Sequence, residues 1–275
     1  MDKIRANQIA AKALQTRKKF LGVGASEPIC PFNLAEAMGF DIRFVKISSF
    51  EGMYLADEGV ILVSAERPEG RKNFTCAHEI GHGVLGHGTV IDEIIENGSD
   101  KEIEKEADFF ASMLLMPSSA VNRVGRDIGV NFQLVAVDQI YIMSKYLGVS
   151  YRALLIQLRY NLKFISDSQF RALENNRFGE IKKGLSQSSV SGEVFVVGNW
   201  WRSRAIDVVV GDLIVTDSPA LCEGDSILNV VNKQERHEFI AETPGIAKVS
   251  NENGWSAFVE RSRYRGEKNS LVLIN

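Results

Sequence analysis

Two histidines four residues apart, with a glutamate directly after the first, stand at His78, Glu79 and His82. On a helix, positions i and i+4 share one face, so both imidazoles can offer a nitrogen to a single ion at about 2.0–2.1 Å. Glu79 then angles toward the open side of that ion, where it can take the proton of a water molecule. In a chain with four histidines the pattern arises by chance on the order of once in several hundred sequences, which makes a pair of unrelated surface histidines the weaker reading. Two histidines do not complete a catalytic zinc site, which generally takes three protein ligands and keeps one position open.

The third ligand is sought downstream, where residues 100–115 carry Ile103, Ala107, Phe110, Ala111 and Leu114 as an apolar stripe at helical spacing. Four acidic residues accompany it: Glu102, Glu104, Glu106 and Asp108. Glu104 and Asp108 are one turn apart and border the stripe on the side of Ala107 and Ala111, small residues that let two helices approach closely. Glu104 is therefore expected to ligate the ion, with Asp108 behind it accepting the remaining N–H of a ligating histidine. Glu102 and Glu106 lie about 160° round the helix from Glu104 and are expected to tolerate alanine.

The elements that must position these residues are legible in outline. An imperfect helical pattern covers residues 3–20, and a second helix is predicted over Phe32 to Met38, ended by Gly39. Short β-rich runs follow at 42–45, 54–55 and 60–63, expected as a small, mainly antiparallel sheet. The strand over Val60–Ser64 is open to two readings, an edge that pairs with an extended peptide or an interior strand. A helix is predicted from Pro68 or Arg71 to near Leu85, stopped by Gly86 and Gly88, and Pro117 ends the acidic helix. Helical patterns return over Leu134–Tyr146 and Tyr151–Leu162, separated at Gly148-Val149-Ser150, with Ser150 a good N-cap. After a polar stretch, Ser186-Gln187-Ser188-Ser189, the chain becomes β-rich, with strands predicted near 193–197, 205–210, 213–216, 227–231 and 271–274.

A net charge of -3 and a pI near 5.9 supply no global basic field, so direct nucleic-acid binding is not expected. No stretch approaches the roughly 18 consecutive apolar residues of a membrane span. The opening twenty residues carry charges every few positions rather than an apolar signal core, and Cys30, Cys76 and Cys222 form no disulfide pattern. A cytoplasmic protein is expected, with its cysteines as small buried hydrophobes.

Three blocks now fall in order: Thr75-Cys76-Ala77-His78-Glu79-Ile80-Gly81-His82, then Glu104-Lys105-Glu106-Ala107-Asp108-Phe109-Phe110-Ala111, then Leu114-Leu115-Met116-Pro117. They resemble the ImmA/IrrE metallopeptidases, as do Gly52, the strand Gly59–Ser64 and Gly148-Val149-Ser150 with its following helix. The resemblance covers residues 1–162 and implies an α+β, zincin-like peptidase domain, similar to the thermolysin-like group in using a glutamate four residues before an aspartate, here Glu104 and Asp108. The expected organisation is a metallopeptidase domain over 1–163, a helical linker over 164–189 and a β-rich domain of unassigned role over 190–275.

The expected activity is zinc-dependent endopeptidase cleavage, with His78, His82 and Glu104 as ligands, Glu79 as general base, and manganese as the alternative metal. The resemblance implies a protein substrate, a DNA-binding repressor or antitoxin-like protein, in the setting of stress responses, mobile elements or toxin–antitoxin systems. The alternative is a regulator that binds metal and a transcription factor without cutting it; a purely structural site has no need of Glu79. Secondary candidates keep two readings each. His87 is a loop histidine or a rim group that steadies an oxyanion, Tyr54 a packing residue or a transition-state donor, and His237 a surface residue. Trp200-Trp201-Arg202 with Arg204 reads as core aromatics or an anion-binding cluster.

Overall fold

A computed structural model describes residues 1–47, 49–88, 90–91, 98–188, 191–198, 200–201, 205–216, 221–224, 228–230, 237–250 and 255–260. Predicted strand 271–274 and the side chains of Arg202 and Arg204 lie outside them. The described residues divide into two compact units, one gathering 1–123 with 147–162, the other 124–146 with those from 163 to 260.

In chain order the elements are α1 (Lys3–Leu21), α2 (Pro31–Ala37), β1 (Asp41–Val45), β2 (Gly52–Leu55), β3 (Val60–Ser64), α3 (Glu69–Leu85), β4 (Val90–Ile91), α4 (Gly98–Leu115) and α5 (Ser118–Ile128). Helices α6 (Val137–Leu147) and α7 (Tyr151–Ile156) follow, α7 running into a π-type turn at Gln157–Asn161. Then come α8 (Asp167–Glu174) and α9 (Phe178–Leu185). The strands β5 (Val194–Val197), β6 (Ile206–Val209), β7 (Leu213–Thr216), β8 (Leu221–Gly224), β9 (Leu228–Val230), β10 (His237–Ala241), β11 (Gly245–Ser250) and β12 (Trp255–Glu260) complete the described chain. The fold class is α+β, with a β-rich C-terminal part.

The first unit is built around α3. Its sheet has the order β1-β3-β2-β4, parallel between β1 and β3 and antiparallel elsewhere. Strand β3 is therefore interior, with both edges used, and the reading of Val60–Ser64 as a docking edge does not hold. Its alternation is lost because both faces are covered, as its burial of Val60, Ile61, Val63 and Ser64 records. Helix α3 packs on β2 and β3 on one side and on α4 on the other, and α1 covers α4 in turn. The apolar stripe of α4 supplies the seam: Ala107, Phe110, Ala111 and Leu114 are fully buried, and Gly81 of α3 faces Phe110 and Ala107. Asn73 Nδ2 donates to the Gly148 carbonyl (2.7 Å), which ties the start of α3 to the turn before α7, where Ser150 caps Ala153 N–H. Across the other end, buried Arg17 donates to the Leu114 carbonyl (2.5 Å), satisfying an acceptor at the C-terminus of α4.

The second unit carries two four-stranded mixed sheets, β5-β7-β10-β9 and β6-β12-β11-β8. Buried Asp212 shapes the turn between β6 and β7, accepting from Glu193 N–H (2.7 Å) and Val209 N–H (3.1 Å). The polar stretch after α9 is held as well, since Gln187 and Ser188 donate their N–H groups to the buried Glu238 carboxylate at 2.6 and 3.0 Å. Trp201 is buried edge-on to Tyr146, in agreement with the core reading of that aromatic.

Glu193, just before β5, accepts from Tyr141 Oη (2.8 Å) and pairs with Lys145 (2.8 Å) and Lys182 (3.4 Å). Burial pushes its carboxyl upward, but Lys145, helped by Tyr141 and Lys182, outweighs burial and holds it at about 2. A carboxylate depressed in the fold contributes stability above its ordinary value of 4.5, and the contribution is lost as pH falls toward about 2. Glu193→Gln is expected to destabilise the second unit by on the order of 1–3 kcal/mol at neutral pH, because the lysines lose their counter-charge. The variant's stability is also expected to fall less steeply than wild type between pH 4.5 and about 2, which thermal unfolding across that range measures.

Candidate metal centre

Helix α3 carries the first three candidate residues on its buried side. His78 is 7% exposed, Glu79 1% and His82 0%. The helix begins after Pro68 with Glu69 in its first turn, where a carboxylate suits the helix dipole, and closes at Gly86. From α4, Glu104 reaches the pair: its Oε2 is 3.0 Å from His78 Nε2 and its Oε1 3.4 Å from His82 Nε2. The two Nε2 atoms are themselves 2.9 Å apart. Among the described residues, the ligand atoms of His78, His82 and Glu104 all lie within 4.8 Å of one another.

This arrangement suits a cation. At 2.9 Å the two Nε2 atoms either share a proton as an N–H···N hydrogen bond or offer their lone pairs to one cation that takes that proton's place. Glu104 Oε1 is buried, and beyond the 3.4 Å approach of His82 Nε2 it has no hydrogen-bond partner among the described residues. The carboxylate is ionised: burial alone would raise its pKa, but the hydrogen bonds with His78 and His82 hold it at about 2. His78 moves the other way, with burial outweighed by its bonds to Asp108 and Glu104 so that its pKa lies well above 6.5. A site that draws protons so strongly offers a divalent cation the same donors. Two nitrogens and one carboxylate are a ligand set that zinc accepts, with room for a fourth position.

Asp108 Oδ1 lies 2.9 Å from His78 Nδ1, although its side chain is 62% exposed. With the His78 proton on Nδ1, this contact is a hydrogen bond donated to Asp108, and Nε2 is left to offer its lone pair to an ion. Glu79 lies beneath the first residue of β2. A Cβ at Gly52 would come 2.7 Å from Glu79 Oε1 and 2.3 Å from Thr75 Cγ2, so only glycine lets this strand cross the glutamate so closely. Tyr54, two residues further along β2, packs edge-on to Phe40 with its hydroxyl near Gly83.

Two side chains differ from expectation. His87, read as a loop or rim histidine, is turned inward with a side chain 6% exposed, its Nδ1 3.1 Å from His82 Nδ1. Glu106, expected to sit on a tolerant face, is 8% exposed, and it pairs through both carboxylate oxygens with Arg5 of α1. Its Oε2 also lies 3.3 Å from His87 Nε2. A single apolar stripe implies one covered face for α4, whereas α1 covers a second. Glu102 remains half exposed, as the helical wheel requires.

Residues 35–159 match the family model of the IrrE N-terminal-like domain, a peptidase family. This segment belongs to the ImmA/IrrE family. It runs from α2 through both helices of the metal centre to the π-type turn, so every residue of the proposed ligand set falls within the family domain. The radiation response metalloprotease IrrE of Deinococcus radiodurans is 32% identical over 94 residues, a match that takes in 32% of this chain and 28% of that protein's length. A transcriptional regulator from Mycobacterium tuberculosis aligns structurally over 55% of this chain and 46% of its own, at 15% identity and a TM-score of 0.39, a likeness too slight to carry an argument. Among the described residues no helix is long and apolar enough to cross a membrane.

Proposed function

We propose that this ImmA/IrrE-family chain is a zinc-dependent endopeptidase that cleaves a DNA-binding repressor or antitoxin-like protein in the cytoplasm. The observation that carries the reading is the convergence of His78 Nε2, His82 Nε2 and a Glu104 carboxylate oxygen on one point beside a buried Glu79. His78, His82 and Glu104 would hold a zinc or manganese ion, which when bound would supply Lewis acidity for a scissile carbonyl. Glu79 takes the proton of the attacking water and returns it to the leaving amine, a task for which a buried carboxylate against an uncharged strand is suited. Asp108 keeps the His78 proton on Nδ1. The working segmentation is a peptidase domain over 1–163, a helical linker over 164–189 and a β-rich domain over 190–275.

The test is cleavage of a purified repressor encoded beside this chain, followed by intact-mass spectrometry. Chelation should stop product formation and stoichiometric zinc or manganese should restore it; cutting that persists in the metal-stripped protein would remove the metallopeptidase reading. Asp108→Ala is expected to weaken zinc binding toward the low end of the roughly 10–100-fold range for groups that orient a ligand, because water already competes for an exposed carboxylate. Competition with a chelator of known affinity measures it.

A further inference from the structure

We propose that His87, Glu106 and Arg5 form a positioning chain behind His82, which fixes that ring's tautomer and orientation for metal binding. The inference rests on the metal-centre reading above and extends it to three residues outside the ligand set.

The chain is determined link by link. If Nε2 of His82 serves the ion, its proton is on Nδ1, 3.1 Å from His87 Nδ1. One of two facing nitrogens must be protonated and the other bare, so His82 Nδ1–H donates and His87 Nδ1 accepts. The remaining proton of His87 is then on Nε2, which donates to Glu106 Oε2 at 3.3 Å. Glu106 is held in turn by both arms of Arg5, at 2.7 Å between Nε and Oε1 and through the Nη2–Oε2 pair. Each donor has one acceptor, and the chain ends on a fixed cation.

Local backbone geometry aims His87 at this target. Gly86 takes φ 75, a left-handed conformation open to glycine at low cost, and closes α3. The N–H groups of Gly86 and His87 then both donate to the His82 carbonyl, at 3.0 and 3.1 Å. That doubled cap folds the chain back by one turn and lays the His87 ring against His82, with centroids 5.1 Å apart. A ligating histidine generally needs a partner on its other nitrogen; Asp108 serves His78, and His87 with Glu106 behind it serves His82.

The experiment measures zinc affinity of the full chain by chelator competition, the visible spectrum of the cobalt-substituted protein and the melting temperature of the metal-free protein. His87→Ala is expected to lose roughly 10–100-fold in zinc affinity and to change the cobalt bands. Its metal-free melting temperature should stay near wild type, since the Arg5–Glu106 tie between α1 and α4 is untouched. Glu106→Ala should weaken zinc similarly, and the double variant should lose no more than the larger single loss, because the two act in series. His87→Asn, which keeps an acceptor near the Nδ1 position, should recover part of the affinity, and Glu102→Ala should match wild type. Wild-type zinc affinity in His87→Ala, or a lowered metal-free melting temperature in Glu106→Ala with zinc binding unchanged, would overturn the positioning chain. Absence of zinc binding in the wild-type protein would instead overturn the metal-centre reading itself.

Discussion

Glu79→Gln is expected to leave the metal content at the wild-type level while lowering peptide hydrolysis by roughly 10²–10⁴-fold or more, the factor associated with a positioned acid–base group. The two halves of that result separate a base from a ligand. Glu79 is not among the three converging donors, so removing its charge takes nothing from the ion. Glutamine keeps the shape of the side chain, which matters where β2 crosses so closely that a methyl at Gly52 would fall 2.7 Å from Glu79 Oε1. The amide cannot take a proton from water at neutral pH, so the step fails although the site is intact. Elemental analysis gives the first half and single-turnover cleavage of the partner repressor the second. A variant that cuts at the wild-type rate would assign the base elsewhere, and one that loses its metal would make Glu79 a ligand.

Removing any one of His78, His82 or Glu104 is expected to cost the largest share of metal affinity. Apparent zinc binding energies of roughly 10–16 kcal/mol spread over four ligands amount to about 2.5–4 kcal/mol for each, or on the order of 10²–10³ in affinity. The three alanine variants should therefore be metal-deficient at micromolar zinc and inactive together. His82→Ala carries a further penalty because His82 is wholly buried, and its loss leaves the His87 ring facing a cavity with Nδ1 unmatched. Glu104→Ala has an opposite side effect, since it removes a carboxylate that raises the pKa of His78 and so favours its protonated form in the metal-free state. Competition titrations at fixed pH rank the three. Retention of stoichiometric zinc in the Glu104→Ala variant would displace the third ligand from α4.

Much of this was written in local sequence. The spacing of His78 and His82 on a helix of 3.6 residues per turn puts both rings on one face whatever surrounds them. The stripe through Ala107, Phe110, Ala111 and Leu114 determined which side of α4 turns to α3, and with it that Glu104 and Asp108 flank the seam. Gly86, Ser150 and Pro117 set element ends through backbone chemistry that needs no tertiary context. The β-rich character after residue 190 followed from short branched runs between turn residues, although β8, β10, β11 and β12 escaped notice because their runs are weakly patterned.

Only the tertiary structure decided what covers the second face of α4. Arg5 and Glu106 are 101 residues apart, and periodicity within either helix carries no information about which other helix supplies a counter-charge. For the same reason Glu106 reads as a solvated acid until α1 is laid over it. His87 reads as a loop residue until the cap at Gly86 turns it inward. Strand β3 followed the same rule: its sequence fits an edge or an interior place, and the choice was made by β1 and β2 pairing on either side of it. Sequence by itself determined the donors and the helix that displays them, because helical geometry is a property of the backbone. The groups that orient those donors were fixed by packing between distant segments, where the energy of burying a charge depends on which partner arrives.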